Sequence, residues 1–215
     1  TIGDWRSGAH INFSMTSKKD NKNIFEGKDG KFSDLAYHAV GGLIKHGTSI
    51  TAVACSTVNS YNGLVPIVGG FEGGVYTWAP TTMAYGDNNR SCMIRLPQNR
   101  FCIENRAADM CMNPYLSLAL TTAAALDGIK NKIDPGKPLN LNLYTLSPEE
   151  MEASNIKSLP RNLLEAIEAL NEDNFAREVL GDSMLLQFFA YKKDEWDRYH
   201  QAVTDWEVQE FLRLY

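Results

Sequence analysis

Residues able to bind a metal ion or an anion fall in short stretches of the chain. They are His10, Asn12 and Ser14 in Gly8-Ala9-His10-Ile11-Asn12-Phe13-Ser14, then Asn89-Arg90-Ser91 with Arg95, then Glu104 with Arg106, followed by Asn113-Pro114-Tyr115. In an extended strand alternate side chains share a face, so His10, Asn12 and Ser14 point one way while Ala9, Ile11 and Phe13 point into packing. The same period sets Glu104 beside Arg106, placing a carboxylate and a guanidinium together, as a site joining a hard cation to an anionic substrate requires. Arg90 and Arg95 add two cations separated by short and apolar side chains, a pattern that suits a polyphosphate. Together the set describes part of a metal and nucleotide-phosphate site.

Taken singly, each residue has a plainer reading. A strand histidine can be a hydrogen-bonded core residue, Arg90 and Arg95 can be surface ion-pair partners, and Glu104 with Arg106 can be a structural pair on a sheet. The ordered series of motifs around these residues decides between the readings by family resemblance, not by spacing. From about Arg6 to the C-terminus, the chain resembles the C-terminal half of the catalytic domain of glutamine synthetases. Thr77-Trp78-Ala79-Pro80, Gly86-Asp87-Asn88-Asn89-Arg90, Leu126-Asp127-Gly128-Ile129-Lys130-Asn131-Lys132 and Asp134-Pro135-Gly136 are most similar to the branch that makes N-methylglutamine or γ-glutamylmethylamide.

The resemblance implies ATP and Mg²⁺ (or Mn²⁺) as cofactors, with His10 and Glu104 as metal ligands. Asn12, Ser14, Arg90 and Arg95 would bind the nucleotide, and Arg90 and Arg106 would act on the transferred phosphoryl group. It implies glutamate or a related acid and ammonia or a small amine as substrates, joined through an acyl phosphate, in a homo-oligomer whose sites lie between subunits. Such a cluster works by positioning and electrostatics. The alternative that this family reading leaves open is a non-catalytic binding or assembly subunit.

Three places depart from the family pattern. Asn59-Ser60-Tyr61-Asn62-Gly63 has Gly63 where the family carries a carboxylate-binding arginine. Trp78 stands where the family has a glutamate beside the amine site. Gly69-Gly70-Phe71-Glu72-Gly73-Gly74 is an insertion, expected to be a mobile loop that is either a plain surface loop with Glu72 solvated, or supplies Glu72 as a substitute base, or covers the amine site. The likeness enters mid-domain, so residues 1–215 are expected to form the C-terminal portion of a catalytic domain. An N-terminal domain, the first strands and further metal carboxylates would lie outside the sequence, leaving the isolated chain inactive.

The elements that must position these residues give an α+β class, an antiparallel sheet packed with helices and a helical second half. Ser33 caps a helix that runs through Leu43 to His46 and is expected to stop at Gly47. Asn113-Pro114 opens a helix apolar nearly all round and so expected to be buried, and Ser147-Pro148-Glu149-Glu150 forms a capping box. A helix around Leu163, Ile167 and Leu170 follows, then one from about Ser183 to Leu212. The last carries Phe188, Phe189, Trp196, Tyr199, Trp206 and Phe211 as packing or interface aromatics. Cys55, Cys92, Cys102 and Cys111 lack metal-site spacing and are expected to be reduced core thiols.

A net charge of -5 without a basic patch argues against nucleic acid as a partner. No apolar run approaches the ~20 residues needed to span a bilayer, so no membrane partner is expected and the localisation is read as cytoplasmic. Missing upstream strands would expose apolar surface, which predicts self-association.

Overall fold

Alternating burial makes Ala9–Phe13 a strand, β1: Ile11 is buried while His10 and Asn12 are exposed. The computed structural model describes residues 8–65, 67–68 and 75–212. After β1 the chain passes through exposed turns to three helices, α1 (Asp34–Lys45), α2 (Gly47–Ala54) and α3 (Val58–Gly63). A short antiparallel pair, β2 (Ile67–Val68) with β3 (Val75–Tyr76), precedes β4 (Thr82–Asp87), β5 (Cys92–Leu96) and β6 (Ile103–Ala108). The remainder is α4 (Pro114–Asn131), α5 (Pro148–Ala153), β7 (Lys157–Ser158), α6 (Leu163–Glu172), α7 (Asn174–Leu180), α8 (Asp182–Gln201) and α9 (Asp205–Phe211). The α+β class and the helical second half expected from sequence are what forms. The glycine-rich insertion 69–74, with Glu72, lies outside the described residues.

The main sheet has the order β1-β6-β5-β4-β7. Its pairings are antiparallel, as expected, except at the β4–β5 seam, which is parallel and makes the sheet mixed. Parallel neighbours need a return path, and here residues 88–91 provide an unusually short one. Asn89 secures it with a fully used amide. Its Nδ2 donates to the carbonyls of Leu139 (2.6 Å) and Leu141 (2.8 Å), and its Oδ1 accepts from the Ser91 amide (3.0 Å) and hydroxyl (2.8 Å).

Helix α1 lies against α4 so closely that both contact points must lack a side chain. A Cβ on Gly42 would sit 2.7 Å from the Gly128 nitrogen, and one on Gly128 2.7 Å from the Gly42 nitrogen. The core between helices and sheet is built from Phe25, Leu43, Ile50, Met93, Ile94, Leu96, Ile103 and Leu120, and continues into Leu163, Ile167 and Leu170 of α6. Those α6 positions follow the i, i+4, i+7 spacing of an amphipathic helix.

Several element boundaries differ from the sequence expectation for identifiable reasons. Gly47 does not stop α1 in a turn but opens α2, because His46 takes the C-cap position and Gly47 packs 2.9 Å, by its ideal Cβ, from the Met83 sulfur. Helix α4 begins as expected on the Asn113 cap, but it is buried on one face only, with Leu118 and Leu126 exposed. The helix expected from about 183 to 212 is two, since Thr204 and Glu207 form their own capping box and start α9. The aromatic stripe divides accordingly: Phe188, Phe189 and Trp196 pack on the core, while Tyr199, Trp206 and Phe211 are exposed. Of the four cysteines, all free, only Cys55 and Cys92 are core thiols; Cys102 is half-buried and Cys111 exposed. The Ser147–Glu150 capping box on α5 agrees with the structure; His38 Nδ1 lies 3.2 Å from the Ile133 carbonyl and buried His46 pairs with Asp127.

Candidate active site

Strand register brings the predicted residues together. Asn12 of β1 is paired with Glu104 of β6, and Glu104 with Arg95 of β5, so the three side chains form a row across adjacent strands. A register shift between Ala9 and Ile11 lies at His10, which reaches Glu104 with Nδ1 3.7 Å from Oε1. Arg106, two residues along β6 from Glu104, completes the group from the same face.

Glu104 is the hub. It is 2 % exposed, and each carboxylate oxygen carries a short ion pair: Arg106 Nη1 to Oε1 at 2.7 Å and Arg95 Nη1 to Oε2 at 2.7 Å. Arg100 Nη2 lies 3.5 Å from Oε2. Burial alone would raise this carboxyl's pKa, but the Arg106 hydrogen bond and the charges of Arg95, Arg106 and His10 together hold it below the ordinary value. His10 is lowered, first by burial and then by the field of Arg106, with Arg95 and Arg90 adding to it against the opposing pull of Glu104.

The arginines are themselves held. Asn88, in the left-handed region at φ 55 that Asn tolerates, accepts on Oδ1 from Arg95 Nε at 3.1 Å and from Arg95 Nη2. Arg106 is 8 % exposed and donates from Nε to the Arg90 carbonyl (3.2 Å) and from Nη2 to the Trp78 carbonyl (3.1 Å). The turn that Asn89 secures thus fixes Arg106 through the backbone of Arg90 and presents the Arg90 side chain at the surface. Ser14, exposed beyond the end of β1, is not drawn into the ion-pair cluster.

Sequence reasoning missed Arg100 and Asn88 as parts of the site, and it named Asn89 without its role in holding the turn. Arg100 was within reach: continuing the two-residue period of Glu104 and Arg106 backwards passes Cys102 and arrives at Arg100, whose Nη2 donates to Asn12 Oδ1 at 3.0 Å. The amide roles depend on the β4–β5 reversal and had no such signal. Trp78 stands beside the cluster through its carbonyl, in a left-handed conformation (φ 57) that is a strained one for a bulky residue. Gly63 closes α3, which Thr57 caps.

The donor set fits a hard divalent cation. Each oxygen of Glu104 spends one lone pair on a guanidinium and retains another, and His10 Nδ1 stands 3.7 Å from Oε1. Among the described residues no third His, Cys, Asp or Glu gathers with these two into a metal-holding group. Substrate phosphates commonly fill the remaining positions around such ions.

On one face of the mixed sheet, then, a buried carboxylate is ringed by arginines, with an imidazole at its edge. Residues 2–211 match the model of the glutamine synthetase catalytic domain, and the chain belongs to that family. It is 43% identical to a glutamate–methylamine ligase of Methyloversatilis universalis over 213 residues, covering 97% of this chain and 46% of the relative. A glutamine synthetase of Methanosarcina mazei is 42% identical over 213 residues, covering 97% and 45%. Among solved structures, a GmaS/ADP complex superimposes with a TM-score of 0.82 at 38% identity, covering 96% of this chain and 46% of that one. GmaS without ligand gives 0.78 at 36% identity, covering 95% and 44%. The chain spans about half the length of the curated relatives it matches.

Proposed function

We propose that this chain carries the phosphate-binding and metal-binding part of the active site of an ATP-dependent ligase, which joins ammonia or a small amine to the γ-carboxylate of glutamate. Residues 1–215 are read as the C-terminal portion of the catalytic domain, working in a cytoplasmic homo-oligomer. The observation that carries the reading is Glu104, a buried carboxylate gripped by Arg95 and Arg106 on the face that also presents His10, Asn12 and Arg100. A structural ion pair would be satisfied by one guanidinium, whereas a polyanion site needs a surplus of them.

His10 and Glu104 would hold Mg²⁺ or Mn²⁺, which when bound supplies charge neutralisation for ATP phosphates. Asn12 and Ser14 lie toward the nucleotide. Arg90 and Arg95 bind its phosphates, and Arg90 and Arg106 stabilise the charge of the phosphoryl group as it passes from ATP to the glutamate carboxylate. Ammonia or the amine then attacks the acyl phosphate and releases phosphate. Because Arg106 is fixed by Glu104, the Arg90 carbonyl and the Trp78 carbonyl, it needs no reorganisation as charge develops.

The test is phosphate release by the chain at its natural full length with Mg²⁺, ATP and glutamate, while ammonia, methylamine and ethylamine are supplied in turn. Amine-dependent release abolished by His10→Ala is expected. Tight Mg-ATP binding with no release for any amine would replace the reading with a non-catalytic assembly subunit.

A further inference from the structure

Arg106, which the ligase reading places at the phosphoryl group, is not aimed by its carboxylate alone. Besides Glu104 it rests on two main-chain oxygens, the Arg90 carbonyl at Nε (3.2 Å) and the Trp78 carbonyl at Nη2 (3.1 Å). Both acceptors lie outside the strands, one in the 88–91 turn and the other in the chain just before β4. A guanidinium that leans on loop carbonyls is only as well placed as those loops.

One segment, residues 139–144, braces both loops. On the Arg90 side, Asn89 Nδ2 donates to the carbonyls of Leu139 (2.6 Å) and Leu141 (2.8 Å), and the Leu143 amide donates to Ser91 Oγ (3.2 Å). On the Trp78 side, the Tyr144 hydroxyl donates to the Ala79 carbonyl at 2.7 Å, and the Tyr144 and Trp78 rings stand 6.4 Å apart between centroids. Burial pushes the pKa of the Tyr144 hydroxyl up to about 12, so it stays a donor at neutral pH.

Trp78 needs such a brace. Its φ of 57 is unfavourable for a bulky residue and persists only where the surroundings over-determine it. The peptide unit that follows is held at both ends: the Trp78 carbonyl accepts from Arg106, and the Ala79 N–H donates to Thr77 Oγ1 (3.1 Å). Thr77 Oγ1 in turn donates to the Val65 carbonyl. The next carbonyl along, that of Ala79, is the one Tyr144 takes. Without that bond the Trp78–Ala79 segment is free to relax toward an ordinary backbone conformation, carrying its carbonyl away from Arg106 Nη2.

We propose that Tyr144 is a positioning residue for the ligase reaction, holding the Trp78–Ala79 segment so that the Trp78 carbonyl keeps Arg106 in place. It acts through the backbone and touches no reacting group itself. The assignment rests on the ligase reading above.

The experiment compares the protein at its natural full length with its Tyr144→Phe variant, which keeps the ring beside Trp78 and removes only the hydroxyl. Steady-state turnover is measured with Mg-ATP, glutamate and the amine that supports it, together with Tm and amide hydrogen exchange over residues 77–81. Tyr144→Phe is expected to lower kcat about tenfold while KM for ATP and for glutamate stays within about twofold. Tm should fall by no more than about 6 °C, the cost of one hydrogen bond. Exchange at the Ala79 amide should quicken about tenfold, with that of β5 unchanged. A kcat within about twofold of the unaltered protein, or unchanged exchange at Ala79, would overturn the assignment. So would a fall in Tm of more than about 10 °C with general loss of exchange protection, which marks a residue needed only for folding. Failure of the unaltered protein to turn over with any amine would instead sink the ligase reading, and the assignment with it.

Discussion

Removing the Glu104 charge tests the view of this residue as the hub of the site. In Glu104→Gln the side-chain oxygen can accept from Arg95 or Arg106 but not both, and the new amide group turns its donors toward the other guanidinium. Arg106, 8 % exposed, cannot turn to water without breaking its bonds to the carbonyls of Arg90 and Trp78. Breaking a buried pair by deleting one partner costs about 3–5 kcal/mol, mostly for the charge left behind. At about 2–4 °C per kcal/mol for a domain of this size, Tm should fall by roughly 6–20 °C. Adding Arg95→Met removes the stranded charge, so the double variant should regain more than about 1 kcal/mol over the sum of the single changes. Urea titrations of the four proteins measure both quantities. A loss below about 1 kcal/mol in Glu104→Gln, or additivity within about 0.5 kcal/mol, would refute the reasoning. The activity test uses His10→Ala for this reason: His10 is at the edge, and its loss leaves the arginine pairs intact.

The other predictions concern the scaffold and the site's strain. Gly42→Ala places a methyl group against Ala124 and Gly128 and forces α1 from α4, so chemical denaturation should show a loss of about 1–3 kcal/mol. Asp127 is held below its ordinary carboxylate value by the hydrogen bond from buried His46 (2.8 Å) and then by Lys45, against burial. Because the folded-state value is the lower one, the stabilisation is present above the ordinary value of 3.8 and is lost as pH falls through the folded value. Asp127→Asn should therefore unfold about 1–3 kcal/mol more easily at pH 7, with the difference shrinking below that range in an acid titration. Trp78→Gly removes an unfavourable left-handed conformation from a residue 41% exposed, and thermal melts should show stability unchanged or raised by up to about 1 kcal/mol. Amine-dependent turnover should fall in the same variant if strain at Trp78 serves the site.

Much of this protein could be read from its residues. Period-two alternation placed His10 and Asn12 on one face and set Glu104 with Arg106, and a strand leaves side chains no other choice. Caps at Ser33, Asn113 and Ser147 fixed helix starts, because each side chain satisfies amides within its own turn. What remained hidden was non-local. Gly47 has the composition of a helix stop but serves packing against Met83, and α4 is apolar all round yet covers only one face, since burial depends on what lies opposite. The fourfold attention of arginines to Glu104's neighbourhood needed the β1-β6-β5 order, which no local pattern contains. The parallel β4–β5 seam needed Asn89 to reach carbonyls some fifty residues downstream. By itself, then, the sequence determined which side chains share a face and where the helices capped by Ser33, Asn113 and Ser147 begin, because those are set by backbone geometry within a few residues. Only the tertiary structure decided that Glu104 is buried between Arg95 and Arg106, that Arg100 stands at the rim, and that Trp78 is tied to the site by its carbonyl, because charge burial and ion-pair partners arise between segments that meet only in the folded chain.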